Sequence, residues 1–393
     1  MSGMQRVVEH RRSPLIAPDK QRTDRLELLD RVRGTALFGV LFVNLLVFVA
    51  DAASGTPKTR LDRVIVQVRE SLFDGKFYPI FALVFGYSLA VQMRGAGLVS
   101  ERRTIVKRRL RVLAVLGLIH ALTLYRFDIL FAYGILGALS FRVRRATTRS
   151  LLIASAALIA FGSWVVAISD IDATRFGFHR IGYQVATQTY RFGTFTDLVR
   201  LHAHNHLFNL ATEATRQWPH VLAMMLIGIV AERFDLANRL LDDRSLVRRL
   251  LLVGSIGLAL NVAIDVHSIG DGRPWLAWVA AAAVPLQSVG YIALIACLPR
   301  SAPVDAAGRM SLTVYLAQSA VCTTVLYGFG FGLGRWFSPT GQLLFAIVFY
   351  ALQCALCARW LRTHGRGPVE WLVHEIAARG LRPPTTAEVA APG

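Results

Sequence analysis

Ten apolar runs of about 15 to 25 residues, the length of a helix that crosses a bilayer at 1.5 Å rise per residue, recur along this chain of 393 residues. They fall near 34–50, 77–93, 112–125, 127–141, 151–169, 219–231, 250–264, 275–298, 310–327 and 341–358. With 54% hydrophobic and 18% charged residues and a mean hydropathy of +0.45, the chain is too apolar for an ordinary soluble domain. The reading is all-α: a polytopic transmembrane helix bundle of about ten spans, with an amphipathic outer segment between spans 5 and 6.

A formal charge of +19 raises the question of nucleic acid, and the distribution of that charge answers it. Lys and Arg collect in cytoplasmic loops of membrane proteins. With the amino terminus inside, 31 of the 44 fall in 1–33, 94–111, 142–149, 232–249, 299–309 and 359–393. Both termini are therefore expected in the cytoplasm, and basic runs such as ERRTIVKRRLR (101–111) read as anchors against the anionic lipid bilayer. The first 33 residues carry both signs of charge and no apolar core, so no cleavable signal is expected and the first span serves to insert the chain. Three regions follow: a basic segment 1–33, a membrane domain 34–360 with an outer cap at 170–217, and a carboxy-terminal segment 361–393 made of a short helix and a disordered tail.

Two extramembrane stretches have helical spacing. LDRVIVQVRESL repeats Leu61, Val64, Ile65, Val68 and Leu72 on one face, which suits a short helix on the outer surface. The cap contains His202, His204 and His206, but only His202 and His206 share a helical face, so no metal site is expected. Cys297, Cys322, Cys354 and Cys357 lie inside spans, where no disulfide framework is implied and packing is the simplest role.

The stretch GLIHALTLYRFDILFAYG (117–134) sets three ionisable residues in apolar surroundings. From Val112 to Phe141 only 30 residues are available for two crossings, about 22 Å per arm against a hydrocarbon core of about 30 Å. The turn at Arg126, Phe127 and Asp128 should lie below the outer surface, in protein or against a wet cavity. Counted from the inner boundary, Asn44, His120, Tyr133 and Gln318 all lie about 14 to 17 Å deep. Four spans thus place polar groups in one layer, and His120 alone among them exchanges a proton near neutral pH.

LLDRVRGTALFGVLFVN (28–44), FDGKFYPIFALVFGYS (73–88), the stretch 117–134, GRMSLTVYLAQS (308–319) and GRGPVEW (365–371) together resemble the YeiB-like family of bacterial integral membrane proteins, a domain of unknown function. That family is similar in turn to the transmembrane acyltransferase superfamily. The resemblance implies a multi-pass protein of the bacterial inner (plasma) membrane and an acyl group carried from a cytoplasmic donor to a small-molecule or glycan acceptor outside. Acyl-CoA is implied as donor substrate, with no tightly bound cofactor and no nucleic acid; no oligomeric state is implied. Arg33 matches the arginine that opens the superfamily's first span. Eleven residues on, where the O-acyltransferases have a histidine, this chain has Asn44, and 51–76 contains no histidine to replace it.

Another base must then serve. The expectation is His120, oriented by Asp128 or a carbonyl, with Asn44 or Tyr133 hydrogen-bonded to the developing oxyanion. Arg33, Lys76, Arg126, Arg309 and Gln318 form the expected substrate-binding set, and the donor phosphates are expected on Arg102, Arg103, Lys107, Arg108 or Arg109. The competing expectation is a transporter of a small polar or amphipathic solute, with His120, Asp128 and Arg126 as a proton relay.

Overall fold

A computed structural model describes residues 20–51, 57–93, 99–168, 183–267 and 274–380. Residues 1–19 of the expected basic segment, 170–182 of the expected cap and the tail 381–393 lie outside them. The described residues form α-helices joined by turns and one short 3-10 helix (Leu333–Trp336), with no strand. In chain order these are α1 (Lys20–Asp51), α2 (Arg60–Leu72), α3 (Phe77–Gln92), α4 (Val99–Thr123), α5 (Ile129–Val143), α6 (Thr148–Ile168), α7 (Tyr183–Phe192) and α8 (Phe195–Arg216). The chain continues through α9 (Trp218–Arg233), α10 (Leu236–Asp242), α11 (Arg244–His267), α12 (Pro274–Cys297), α13 (Ala302–Arg309), α14 (Ser311–Leu326), α15 (Pro339–Trp360) and α16 (Pro368–Ala378).

Five segments are long and apolar enough to cross a membrane: Arg25–Val49, Thr148–Ile168, Arg244–Ile264, Trp275–Cys297 and Pro339–Trp360. The other five apolar runs sit in α3, α4, α5, α9 and α14; of these, α5 and α14 are apolar but shorter. Large apolar side chains such as Ile119, Ile153, Phe161, Leu252, Ile256 and Val348 face outward, which suits a multi-pass protein bathed in lipid.

Local chemistry explains several boundaries. Thr59 and Asp62 form a reciprocal capping box at the start of α2, as Thr194 and Asp197 do for α8. Asp128 caps α5, and Ser338 followed by Pro339 starts α15. The helix expected on the outer surface is α2, but it is turned: Asp62, Ile65 and Arg69 are buried against the bundle, whereas Leu61, Val64 and Val68 point away from it.

Two boundaries differ from the sequence reading. The basic run 101–111 is the first half of a continuous α4, because Val106, Leu110 and Leu113 recur at helical spacing and are buried. The break at 33/34 falls within α1. In the carboxy-terminal segment, α16 docks on α4 and α14, with Val373 and Ala377 buried. Glu370 fixes it there by accepting from the backbone N–H groups of Leu312 (2.7 Å) and Thr313 (3.1 Å) and from the Thr313 hydroxyl (2.5 Å).

Two apolar cores organise the bundle. One joins the second half of α1 to α13, α14 and α15 and to the cap helices; the other joins α3, α5, α9 and α12 to the first half of α1. In the second, α3 and α9 meet backbone to backbone: a Cβ at Gly86 would strike the main chain of Met225, and one at Gly228 that of Leu83. Both positions require glycine for this close approach. The space between the two cores holds the site.

Candidate functional site

One cavity of about 830 Å³ lies between the cores, walled by α1, α3, α4, α5, α8, α13, α14 and α16. That volume is in the range of small-molecule sites, roughly 300 to 1,000 Å³. Its two ends differ chemically. One, the basic end, carries Arg33, Arg109, Arg309 and Arg366 with Gln92, Glu370 and His374. The opposite, cap end carries Asp74, Tyr78, Glu213 and Gln217, and the waist between them is apolar apart from Asn44, Tyr125, Tyr133 and Tyr315.

At the basic end, Arg33 is held in place by Asp30 (2.8 Å) and the Ser88 hydroxyl, and Arg109 donates to Gln92 Oε1 (3.1 Å). Arg309 reaches the carbonyl of Gly365 (3.4 Å), which ties the loop before α16 to α13. Burial lowers the pKa of His374 there, so its imidazole favours the neutral form. An anion entering this end meets fixed guanidinium groups, which suit phosphate oxygens.

At the waist, Asn44 Oδ1 accepts from the Tyr125 hydroxyl (3.0 Å), which orients the amide and leaves its N–H groups as donors. The Tyr133 hydroxyl donates to the Tyr78 carbonyl (2.9 Å), so its single proton is committed. Of the two residues expected to serve a developing oxyanion, Asn44 therefore keeps the free donor capacity.

His120 and Asp128 come together, but behind the cavity wall. Nδ1 of the imidazole lies 2.7 Å from Asp128 Oδ1, and both side chains are about 1% exposed. The rings of Tyr315 and Tyr125, which line the cavity, stand 5.1 and 6.3 Å from the imidazole. Asp128 Oδ2 also accepts from the Phe131 amide (2.7 Å), and the Tyr315 hydroxyl lies 3.4 Å from Oδ1. Nε2 of His120 is buried without a partner.

The remaining expected residues lie off the cavity. Lys76 is buried and donates to the carbonyl of Glu70 (2.8 Å), while Arg126 stacks on Phe127 and donates to the Tyr190 hydroxyl (3.2 Å). Tyr190 in turn meets His202, whose imidazole burial lowers to a pKa of about 3. Gln318 is a core residue bonded to Gln353 (3.1 Å) and the Leu37 carbonyl. Of the expected donor-phosphate residues, Arg109 alone lines this cavity. Arg102 donates to the Met93 carbonyl and Arg108 to that of Arg379, while Arg103 and Lys107 face a separate cleft. The basic run is helical, so its side chains point in every direction around α4.

Sequence reasoning missed Glu213. It lines the cap end, and burial raises its carboxyl pKa to about 7, against partial relief from Arg216 and Arg126. A carboxylate with that value, facing a cavity, can accept and return a proton near neutral pH. The signal was present: His202, Asn205 and Asn209 are buried on one stripe of α8, and Glu213 is the next residue of that stripe. Among the described residues no group of three His, Cys, Asp or Glu side chains could hold a metal ion.

A family described as "Protein of unknown function (DUF418)" matches residues 231–380. The chain is 27% identical over 384 residues to "Uncharacterized protein YxaH" of Bacillus subtilis, covering 89% of this chain and 93% of the relative. It is 28% identical over 388 residues to "Uncharacterized protein YeiB" of Escherichia coli, covering 92% and 98%. These matches support the YeiB-like family, whose function is unknown, and they show no likeness to the transmembrane acyltransferases. No solved structure matches the chain.

Proposed function

We propose that the protein is a membrane acyltransferase in which donor and acceptor meet in one cavity, entering from opposite ends. The observation that carries this reading is the polarity of that cavity: arginines at one end, a proton-accepting carboxyl at the other, and an oriented amide between. The excess of Lys and Arg at the basic end supports its placement in the cytoplasm.

In this reading the phosphates of an acyl-CoA rest on Arg33, Arg109, Arg309 and Arg366, and the thioester reaches the waist. An acceptor hydroxyl enters from the cap end beside Glu213. The hydroxyl oxygen attacks the thioester carbon, the C–O bond forms and the C–S bond breaks. The hydroxyl proton passes to Glu213 and then to the departing thiolate, so that ester and thiol leave. Asn44 donates to the oxyanion as it forms. Glu213 replaces His120 as the proton acceptor because it faces the cavity, whereas His120 lies one layer behind Tyr315 and Tyr125. The His120–Asp128 pair positions that wall.

The second reading, proton-coupled transport, draws on the same cavity together with the buried His120–Asp128 pair. One experiment separates the two. Protein in nanodiscs is given labelled acetyl-CoA and a mixture of hydroxylated acceptors. Thiol release that falls in Arg109→Gln through a raised KM, and in Glu213→Gln through a lowered kcat, supports acyl transfer. Absence of release, with solute flux driven by a pH gradient in liposomes, supports transport.

A further inference from the structure

A second cavity of about 570 Å³ lies apart from this site, in the cleft between α4 and α5 at the basic end. It exists because the two helices touch at Gly134 and Ala114, where a Cβ on Gly134 would lie 2.6 Å from that of Ala114. Beyond the contact the small side chain of Ala138 leaves the cleft unfilled. The floor is apolar, and the rim is basic on both banks: Arg103, Lys107 and Arg111 from α4 face Arg142, Arg144 and Arg145 from the end of α5.

The spacing of 103, 107 and 111 puts that bank on one helical face. No acidic residue lines the cleft, and none of the six cations pairs with a carboxylate among the described residues. Nε of Arg103 is buried without a partner. Burial and then repulsion from Arg103 and Arg145 lower the pKa of Arg144, a sign of crowded positive charge, and its guanidinium is held over the Phe141 ring and by the Phe141 carbonyl. Directly above the rim, Val115, Ile119, Ile135 and Leu139 are exposed on the apolar surface of the same two helices.

We infer that this cleft binds an anionic phospholipid carrying two phosphates, one for each bank, with its acyl chains laid along the exposed face of α4 and α5. A basic pocket between membrane helices recognises such headgroups by charge, and apolar surface beside it accepts their tails. A soluble phosphate lacks the second half of that match. The inference stands independently of the acyltransferase reading, since no residue of this rim lines the large cavity.

The test uses the full chain in phosphatidylcholine nanodiscs, to which cardiolipin, phosphatidylglycerol or soluble pyrophosphate is added, read by native mass spectrometry and by thermal melting. One cardiolipin is expected to be retained and to raise Tm. Arg103→Gln/Arg142→Gln/Arg145→Gln is expected to weaken retention on the order of a hundredfold, since each cation near an anionic surface contributes roughly a factor of five. Its Tm in phosphatidylcholine alone reports folding; if it fails to insert, Lys107→Gln and Arg142→Gln, both at exposed side chains, take its place with about a fivefold loss each. Equal retention of phosphatidylglycerol, an equal Tm shift by pyrophosphate, or unchanged retention in the variants would overturn the inference.

Discussion

His120 Nδ1 lies 2.7 Å from Asp128 Oδ1 across the turn between α4 and α5, with both side chains sealed from solvent. The same carboxylate caps α5 through the Phe131 amide and meets the Tyr315 hydroxyl from α14. One buried group thus joins three helices at the wall of the large cavity. Such a node is costly to break from one side, because the partner left behind is a buried, unpaired polar or charged group.

Three substitutions separate the roles of that node. His120→Ala removes the imidazole and should destabilise by roughly 3 to 5 kcal/mol. Asp128→Asn keeps a capping oxygen for Phe131 and should cost less than Asp128→Ala, which loses both the pair and the cap, the cap alone being worth about 1 kcal/mol. Thermal melts in one detergent give the order. Equal melting of the Asn and Ala variants would contradict the capping role.

Glu213 makes stability depend on pH in an unusual direction for a carboxylate. Its pKa rises from the ordinary 4.5 to about 7 on folding. Between those values the folded state holds the extra proton, so stability falls as pH rises through the window and the full penalty is present above 7. Glu213→Gln should therefore melt higher than wild type at pH 8, and the gap should close below pH 4.5.

Asp62 works in the opposite sense. Its carboxylate accepts from Thr340 N and Oγ1 (3.1 and 2.7 Å) and from the amides of Lys58 and Thr59, which holds its pKa well below the usual carboxylate value. A depressed value means stability that is present above the unfolded pKa near 4 and lost as pH falls through the folded one. Asp62→Asn should loosen α2 from α15 at pH 7, seen as faster proteolysis between residues 57 and 76. If its cleavage rate equals that of wild type, the contact does not hold α2.

Gly228 faces the main chain of Leu83, so any larger residue must part α3 from α9. Gly228→Leu is expected to destabilise by at least the 1 to 3 kcal/mol of an overpacked core and to reduce the yield of folded protein. Gly365, which has nothing within 4 Å of its would-be Cβ, supplies the control: Gly365→Ala should melt within about 0.5 kcal/mol of wild type.

The bundle was legible because a membrane helix writes itself as one long apolar window, and each of the ten windows sits in a helix. The start of α4 was not, because its charged residues outnumber the buried Val106 and Leu110 that show the helix continuing. The cavity was half legible. Depth counting found Asn44 and Tyr133, which line it, and His120, which lies just behind. Counting gives depth but not azimuth, so Gln318 fell in the same layer yet points into the core. The short helix after GRGPVEW was legible, but the place of Arg366, Glu370 and His374 in the cavity was not, because the docking of α16 joins buried Val373 and Ala377 to three hydrogen bonds of Glu370 that have no sequence period.

In the proposed reaction, thioester and acceptor meet in the large cavity under Glu213. The most direct measurement is label transfer from radiolabelled acetyl-CoA to a hydroxylated acceptor pool by the protein in nanodiscs, over pH 5 to 9, for wild type and Glu213→Gln. Transfer is expected to rise with pH to a plateau above about 7 and to fall on the order of a hundredfold in the variant, as for removal of a general base. Transfer unaffected by Glu213→Gln, or folded wild-type protein that neither binds nor cleaves acetyl-CoA, would contradict it.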